Sequence, residues 1–189
     1  LYLAFTSPHD PRTAPAEYAA MYDPADVELP PNFMAEHPFD NGEMRIRDED
    51  LAAYPRTADE VRQHIADYYA MITHQDAHIA HVLDALERNG YGDDTIIVYT
   101  ADHGLGVGQH GLLGKQNVYD HSVRVPMIVA GPGVQVGAAV DDIVCLYDAF
   151  PTVCDLTGTA IPASVESRSF AGLATGASSA GRDSAFSGY

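Results

Sequence analysis

The sequence has a single lysine. Lys115 stands against nine arginines and 27 acidic residues in a chain of 189, giving a formal net charge of −17 and an isoelectric point near 4.5. Such a balance excludes the basic stripe that grips nucleic-acid phosphates and disfavours an anionic membrane surface. Cysteine is almost as scarce: Cys145 and Cys154 are too few for a disulfide framework and lack a C-x2-C metal spacing. Both read as buried apolar residues. No apolar run approaches the roughly 20 residues of a membrane span. No P-loop occurs either, because "GLLGKQ" lacks the spacing and the Ser/Thr after lysine, which rules against a common nucleotide-triphosphate reading.

What remains is enough for a core, since 46% of residues are apolar. "LYLAF", residues 1–5, is a continuous apolar run ended by "TSPHDPR", the pattern of a buried strand entering a loop. A chain opening in mid-strand reads as one lacking an N-terminal portion. Residues 11–56 are rich in proline and acids and form a long surface excursion, of a length that points to function. Thr57 with Glu60 makes a capping box, and Val61, Ile65, Tyr68, Ile72, Ile79, Leu83 and Leu86 recur at helical spacing until Asn89-Gly90 stops them. Asp76 falls inside that stripe and predicts a buried carboxylate. "TIIVYTA" and "VPMIVAGPG" read as buried strands, and "CLYDAFPTVCDLTG" as a second helix with Pro151 in its first turn. This order predicts an α/β domain with a mainly parallel sheet.

Ligands of such sheets bind at the carboxyl ends of the strands. Two loops leaving strand ends carry titratable groups, which makes His9, Asp102, His103 and Lys115 the candidate site. Asp102 offers a hard oxygen for a divalent cation, and His103 can ligate or orient. Lys115 is a point charge for an oxyanion, and His9 can hold an anion or give a proton to a leaving oxygen. Together they suit a tetrahedral anion such as a sulfate or phosphate ester, and they would offset the repulsion of an acidic surface. Gly104, Gly106, Gly108, Gly111 and Gly114 would let the backbone approach a ligand or metal closely.

The stretch "YTADHGLGVGQHGLLGKQNVYDHSVRVPMIVAGPG" resembles the second signature region of the sulfatase family in the alkaline phosphatase superfamily. "SPHDPR" resembles its Pro-His loop and "LYDAFPTVCDLTGTAIP" its downstream helix. The resemblance implies an alkaline-phosphatase-like three-layer α/β sandwich with a largely parallel mixed sheet. Residues 1–170 would be the central to C-terminal part of its catalytic domain, and 171–189 the start of a linker or further subdomain. It also implies hydrolysis of a sulfated small molecule or sulfated glycan, in a periplasmic or extracellular setting. Asp102 would ligate a divalent metal, usually Ca2+. His103 stands where many members have a metal-binding asparagine, which leaves open direct ligation, a supporting position or another metal. Lys115 and His9 would grip the sulfate and stabilise the leaving group.

The family's nucleophile is a formylglycine made from a C/S-x-P-S-R motif, accompanied by paired aspartates. Neither cysteine has that context here, so both are expected upstream of this chain. A phosphonate or phosphate ester hydrolase of the same superfamily is the rival reading, and a non-catalytic binder of sulfated glycans another. His74, His78 and His81 read as exposed helical histidines, not a zinc site. His110 and His121 are placed either as support for the site or as loop packing.

Overall fold

The computed structural model describes residues 1–178 and 181–188, which divide into two units, 1–85 with 103–123, and 86–102 with 124–189.

The first unit is organised around a long helix. After the short α1 (Ala16–Ala19), α2 runs from Ala58 to Arg88. Its start follows from half of the expected capping box: Glu60 N–H donates to Thr57 Oγ1 at 3.3 Å, while the Glu60 carboxylate accepts from the Thr57 hydroxyl at 2.7 Å. Such a cap stabilises a helix by about 1 kcal/mol. The buried stripe runs through Val61, Ile65, Ala66, Ala70 and Met71. Val61 and Ile65 form a core with Val107, against which Val27, Leu29, Phe33, Tyr68 and Leu105 pack. The excursion and the glycine-rich segment thus wrap the N-terminal half of α2. Beyond Met71 the stripe is uncovered, with Ile72 and Leu83 exposed. Asp76 is exposed as well, so the expected buried carboxylate is not found. It needs no partner where the stripe has left the core.

The glycine-rich segment folds on itself. Gly106 N–H donates to the Gly114 carbonyl and Gly108 N–H to that of Leu112, both at 2.8 Å. Gly108 has φ +99°, and a Cβ there would sit 2.5 Å from Val61 Cγ1; Gly111 has φ +77°, and a Cβ there would sit 2.8 Å from the backbone of residues 36–37. These glycines permit close approach to the protein's own chain, where the sequence suggested approach to a ligand. The unit closes with α3 (Asp120–Val123).

In the second unit the final turn of α2 ends as expected. Gly90 takes φ +77°, and the amides of Gly90 and Tyr91 donate to the carbonyls of Glu87 and Leu86, a Schellman pattern. Strands β1 (Ile97–Thr100) and β2 (Met127–Ala130) pair with Ile97 opposite Ala130 and Thr100 opposite Met127. The pairing is antiparallel, where a parallel sheet was expected. The reason lies in the connection: Gly104 N–H donates to the Ser122 carbonyl at 2.9 Å, pinning its two ends together without the helical crossover that parallel neighbours need. Residues 1–5, expected as a buried strand, are exposed and pair with no strand among the described residues.

Helix α4 (Ala149–Leu156) carries Pro151 in its first turn and stops at Gly158, φ +67°, as its sequence predicts. Buried Asp148 anchors the unit, accepting from the Cys145 and Arg168 amides at 3.0 Å and from Arg182 at 2.9 and 2.5 Å. Arg182 and α5 (Ala171–Thr175) show ordered contacts within 171–189, of which residues 179, 180 and 189 lie outside the described residues. Cys154 is buried as predicted and Cys145 half-buried, both free thiols. Among the described residues no helix is long and apolar enough to cross a membrane.

Candidate functional site

Two of the four candidate residues meet in the first unit. Lys115 Nζ lies 3.0 Å from His9 Nε2, across 106 residues of sequence. The loop that brings Lys115 there is fixed by a carboxylate the sequence did not single out. Glu49, nearly buried, accepts from the amides of Leu113 at 2.9 Å and Gly114 at 2.8 Å, from Tyr54 Oη at 3.2 Å and from Arg56 Nη2 at 2.8 Å. Arg56, fully buried, stacks over the Tyr54 ring at 3.8 Å and donates to the carbonyls of Glu49, Ala52 and Gly111. Burial, followed by the charge of Glu49, pushes the Tyr54 hydroxyl up to about 12, so it stays a donor.

The neighbouring carboxylate holds the charges. Asp48 Oδ2 lies 3.2 Å from Lys115 Nζ and accepts from Gln116 Nε2 at 2.9 Å, while Oδ1 accepts from Arg47 Nε at 3.0 Å and Nη2 at 2.7 Å. Burial alone would raise this carboxyl. The hydrogen bonds from Gln116, Arg47 and Lys115, with the charge of Lys115, outweigh it and hold Asp48 well below the usual carboxylate range. Arg47 is raised in turn, chiefly by its hydrogen bond to Asp48.

His9 is oriented by its own loop. Its Nδ1 faces the Asp10 carbonyl at 2.9 Å and Asp10 Oδ1 at 3.2 Å, so the proton sits on Nδ1. Nε2 then accepts from Lys115, with Arg47 Nη2 at 3.4 Å. Further along that loop Arg12 donates to the Leu113 carbonyl at 3.4 Å, and burial lowers its pKa against the opposing charge of Asp10.

Asp102 belongs to the second unit, exposed two residues after β1, and His103 to the first. The Nδ1 of His103 lies 2.9 Å from the Gly104 carbonyl. Among the described residues no group of three or more His, Cys, Asp and Glu side chains is arranged to hold a metal ion.

His110 packs the loop: its ring stacks on Tyr119 at 4.1 Å, Nε2 meets Asn32 Nδ2 at 3.1 Å, and its carbonyl accepts from His37 Nδ1 at 2.8 Å. His121 lies beside it, with Nε2 buried and unpartnered among the described residues. Burial, then the charge of His110, pushes the His121 imidazole down to about 4. On α2, His78 and His81 are exposed and His74 half-buried against Tyr18. Arg47, Asp48, Glu49 and Arg56 are the residues that sequence reasoning missed. The first three have one sequence signal, the charge run "RIRDED" within an excursion already marked as functional by its length, and Arg56 has only its place at the end of that excursion.

The first unit thus brings the Lys115 ammonium and the His9 imidazole together, each beside an aspartate carboxylate, Asp48 and Asp10. The sulfatase family model matches residues 1–159, and the chain belongs to that family. It is 32% identical to a choline-sulfatase of Rhizobium meliloti (strain 1021) over 165 residues, 85% of this chain and 32% of that protein. It is 34% identical to arylsulfatase K of Mus musculus over 122 residues, 65% of this chain and 22% of that protein. Among solved structures, the phosphonate monoester hydrolase SpPMH of Silicibacter pomeroyi superposes with a TM-score of 0.75 at 33% identity, covering 89% of this chain and 36% of that one. The chain therefore spans between about a fifth and a third of these two curated relatives.

Proposed function

We propose that this chain supplies the anion clamp of a sulfuric ester hydrolase. The observation that carries the reading is the 3.0 Å contact between Lys115 and His9, brought from two separate loops and each fastened by its own aspartate. Lys115 spends one N–H on Asp48 and one on His9, leaving a third for a substrate oxygen. As the ester bond to sulfur breaks, negative charge grows on the bridging oxygen. The ammonium neutralises it, and His9, when Nε2 takes a proton from solvent and gives up the hydrogen bond from Lys115, delivers that proton to the same oxygen.

Within this reading Asp102 and His103 would be the residues of this chain that hold a divalent metal, which would supply Lewis-acid charge. The carboxylate suits Ca2+, whereas an imidazole nitrogen suits a softer ion. The three-layer sandwich with a largely parallel sheet is proposed for the whole domain, beyond the antiparallel pair found here. Formylglycine is the proposed nucleophile, for neither cysteine of this chain fits the part: Cys154 is buried and Cys145 caps a helical turn.

A second reading, phosphonate or phosphate monoester hydrolysis, is favoured by the similarity to SpPMH. Both esters present a tetrahedral oxyanion to the same clamp. The test is turnover of 4-nitrophenyl sulfate and of 4-nitrophenyl phenylphosphonate by the full-length protein carrying this segment, with and without Lys115→Ala. A higher kcat/KM for the sulfate, lowered about 100- to 1000-fold by the substitution, is expected. A preference for the phosphonate ester assigns the second reading. Binding of sulfated glycans without turnover of either ester leaves a non-catalytic binder.

A further inference from the structure

We propose that Arg47 forms a second oxyanion subsite beside the clamp, so that the preferred substrate carries another anionic group close to the ester being cleaved. The inference rests on the hydrolase reading and names the substrate class of that site. In a chain of net charge −17, cations able to meet a ligand are few. Arg56 is wholly consumed inside the protein, and Lys115 is 21% exposed and committed to the ester. Arg47, by contrast, leaves 68% of its side chain exposed although it stands in the same cluster, with Nη2 3.4 Å from His9 Nε2.

A surface arginine usually loses side-chain entropy when it captures a ligand. Here that loss is already incurred, because Asp48 grips the guanidinium through Nε and Nη2, with Asp10 3.9 Å from Nε. The two N–H groups of Nη1 have no partner among the described residues, and they form one arm of the fork that matches a carboxylate, sulfate or phosphate. Satisfying Asp48 does not require Arg47 alone, since Lys115 and Gln116 already meet its other oxygen. A singly charged ester held between Lys115 and His9 would leave Nη1 in water. A second oxyanion on the same ring would occupy it.

The experiment compares the full-length protein with its Arg47→Ala and Arg47→Lys variants on three esters: 4-nitrophenyl sulfate, its analogue with a carboxylate ortho to the ester, and its analogue with a second ortho sulfate. The quantity read is the ratio of kcat/KM for each dianionic ester to that for the monoanionic one. Arg47→Ala is expected to lower that ratio about 10- to 100-fold, mainly through KM, the loss of a charge-assisted hydrogen bond. Arg47→Lys recovers part of it, keeping charge without the fork. A fall in the carboxylate arm or in the sulfate arm supports the subsite and tells which anion it takes. A ratio within about twofold of the parent in both arms overturns the subsite while leaving the hydrolase reading intact. Failure of the parent to turn over any of the esters, or the matching phosphonates, is instead a failure of the hydrolase reading, and the subsite falls with it.

Discussion

Replacing Glu49 by Gln keeps the shape of the side chain and removes the charge that fastens the Lys115 loop. Glu49 faces four donors: the amides of Leu113 and Gly114, the Tyr54 hydroxyl and the Arg56 guanidinium. A carboxamide has one accepting oxygen, so its NH2 must oppose at least one of these donors. Arg56, with no exposed side-chain surface, is then a buried cation without its counter-charge. Losing one partner of such a pair costs about 3–5 kcal/mol. The carbonyls of Glu49, Ala52 and Gly111 still solvate Arg56, which argues for the lower end. About 3 kcal/mol corresponds to roughly a hundredfold increase in opening of the loop, at 1.4 kcal/mol per decade. Hydrogen exchange at the Leu113 and Gly114 amides should report this directly, with the urea midpoint by circular dichroism as the global measure. The double variant Glu49→Gln/Arg56→Met should be less destabilised than the sum of its single changes, since it buries no lone charge. A Glu49→Gln loss below about 1 kcal/mol, or strict additivity in the double variant, would refute a buried ion pair as the fastener of this loop.

Two further perturbations test the packing around it. His121 has a folded pKa near 4 against an unfolded value of about 6.5, so the unfolded chain binds the extra proton first and stability falls as pH drops through that window. The slope should reach at most about 1.4 kcal/mol per pH unit and should flatten in His121→Leu, measured as urea midpoints between pH 7 and 4.5. Gly108→Ala places a Cβ 2.5 Å from Val61 Cγ1 at φ +99° and should cost about 2–5 kcal/mol. Gly42→Ala, at φ +91° with nothing within 4 Å, bears the backbone strain alone; equal losses in the two variants would show that the Val61 contact is not what demands glycine.

The parts of this fold legible in the sequence are those decided locally. The Thr57–Glu60 cap, the Gly90 stop and the Pro151 and Gly158 limits of α4 each depend on residues within a turn of one another. Both strands are also marked by their own β-branched runs, but their direction is not. Direction follows from one amide of Gly104 finding the carbonyl of Ser122, a pairing that no periodicity records. Asp76 shows the same limit from the other side, because the stripe it interrupts is continuous in sequence but loses its cover after Met71.

The site divides along the same line. His9 and Lys115 stand in stretches the sequence marks as motifs, and they meet. Asp48 and Glu49 sit in a run of mixed charge where every residue looks equally solvated, and only contacts with residues 113–116, more than sixty positions away, select which carboxylates are buried. Those two neighbours divide the work: Glu49 binds the backbone that leads to Lys115, and Asp48 binds the ammonium itself. Dense negative charge elsewhere on the chain repels an anionic ligand from every surface lacking a local cation. A cation held in place by a buried carboxylate gives up much of its attraction for the ligand, and in this cluster Lys115 and Arg47 share one such carboxylate between them. With Asp10 also 3.9 Å from Arg47 Nε, the two cations face two carboxylates, so the empty cluster is balanced and a proton on His9 gives it the net positive charge that draws in an oxyanion.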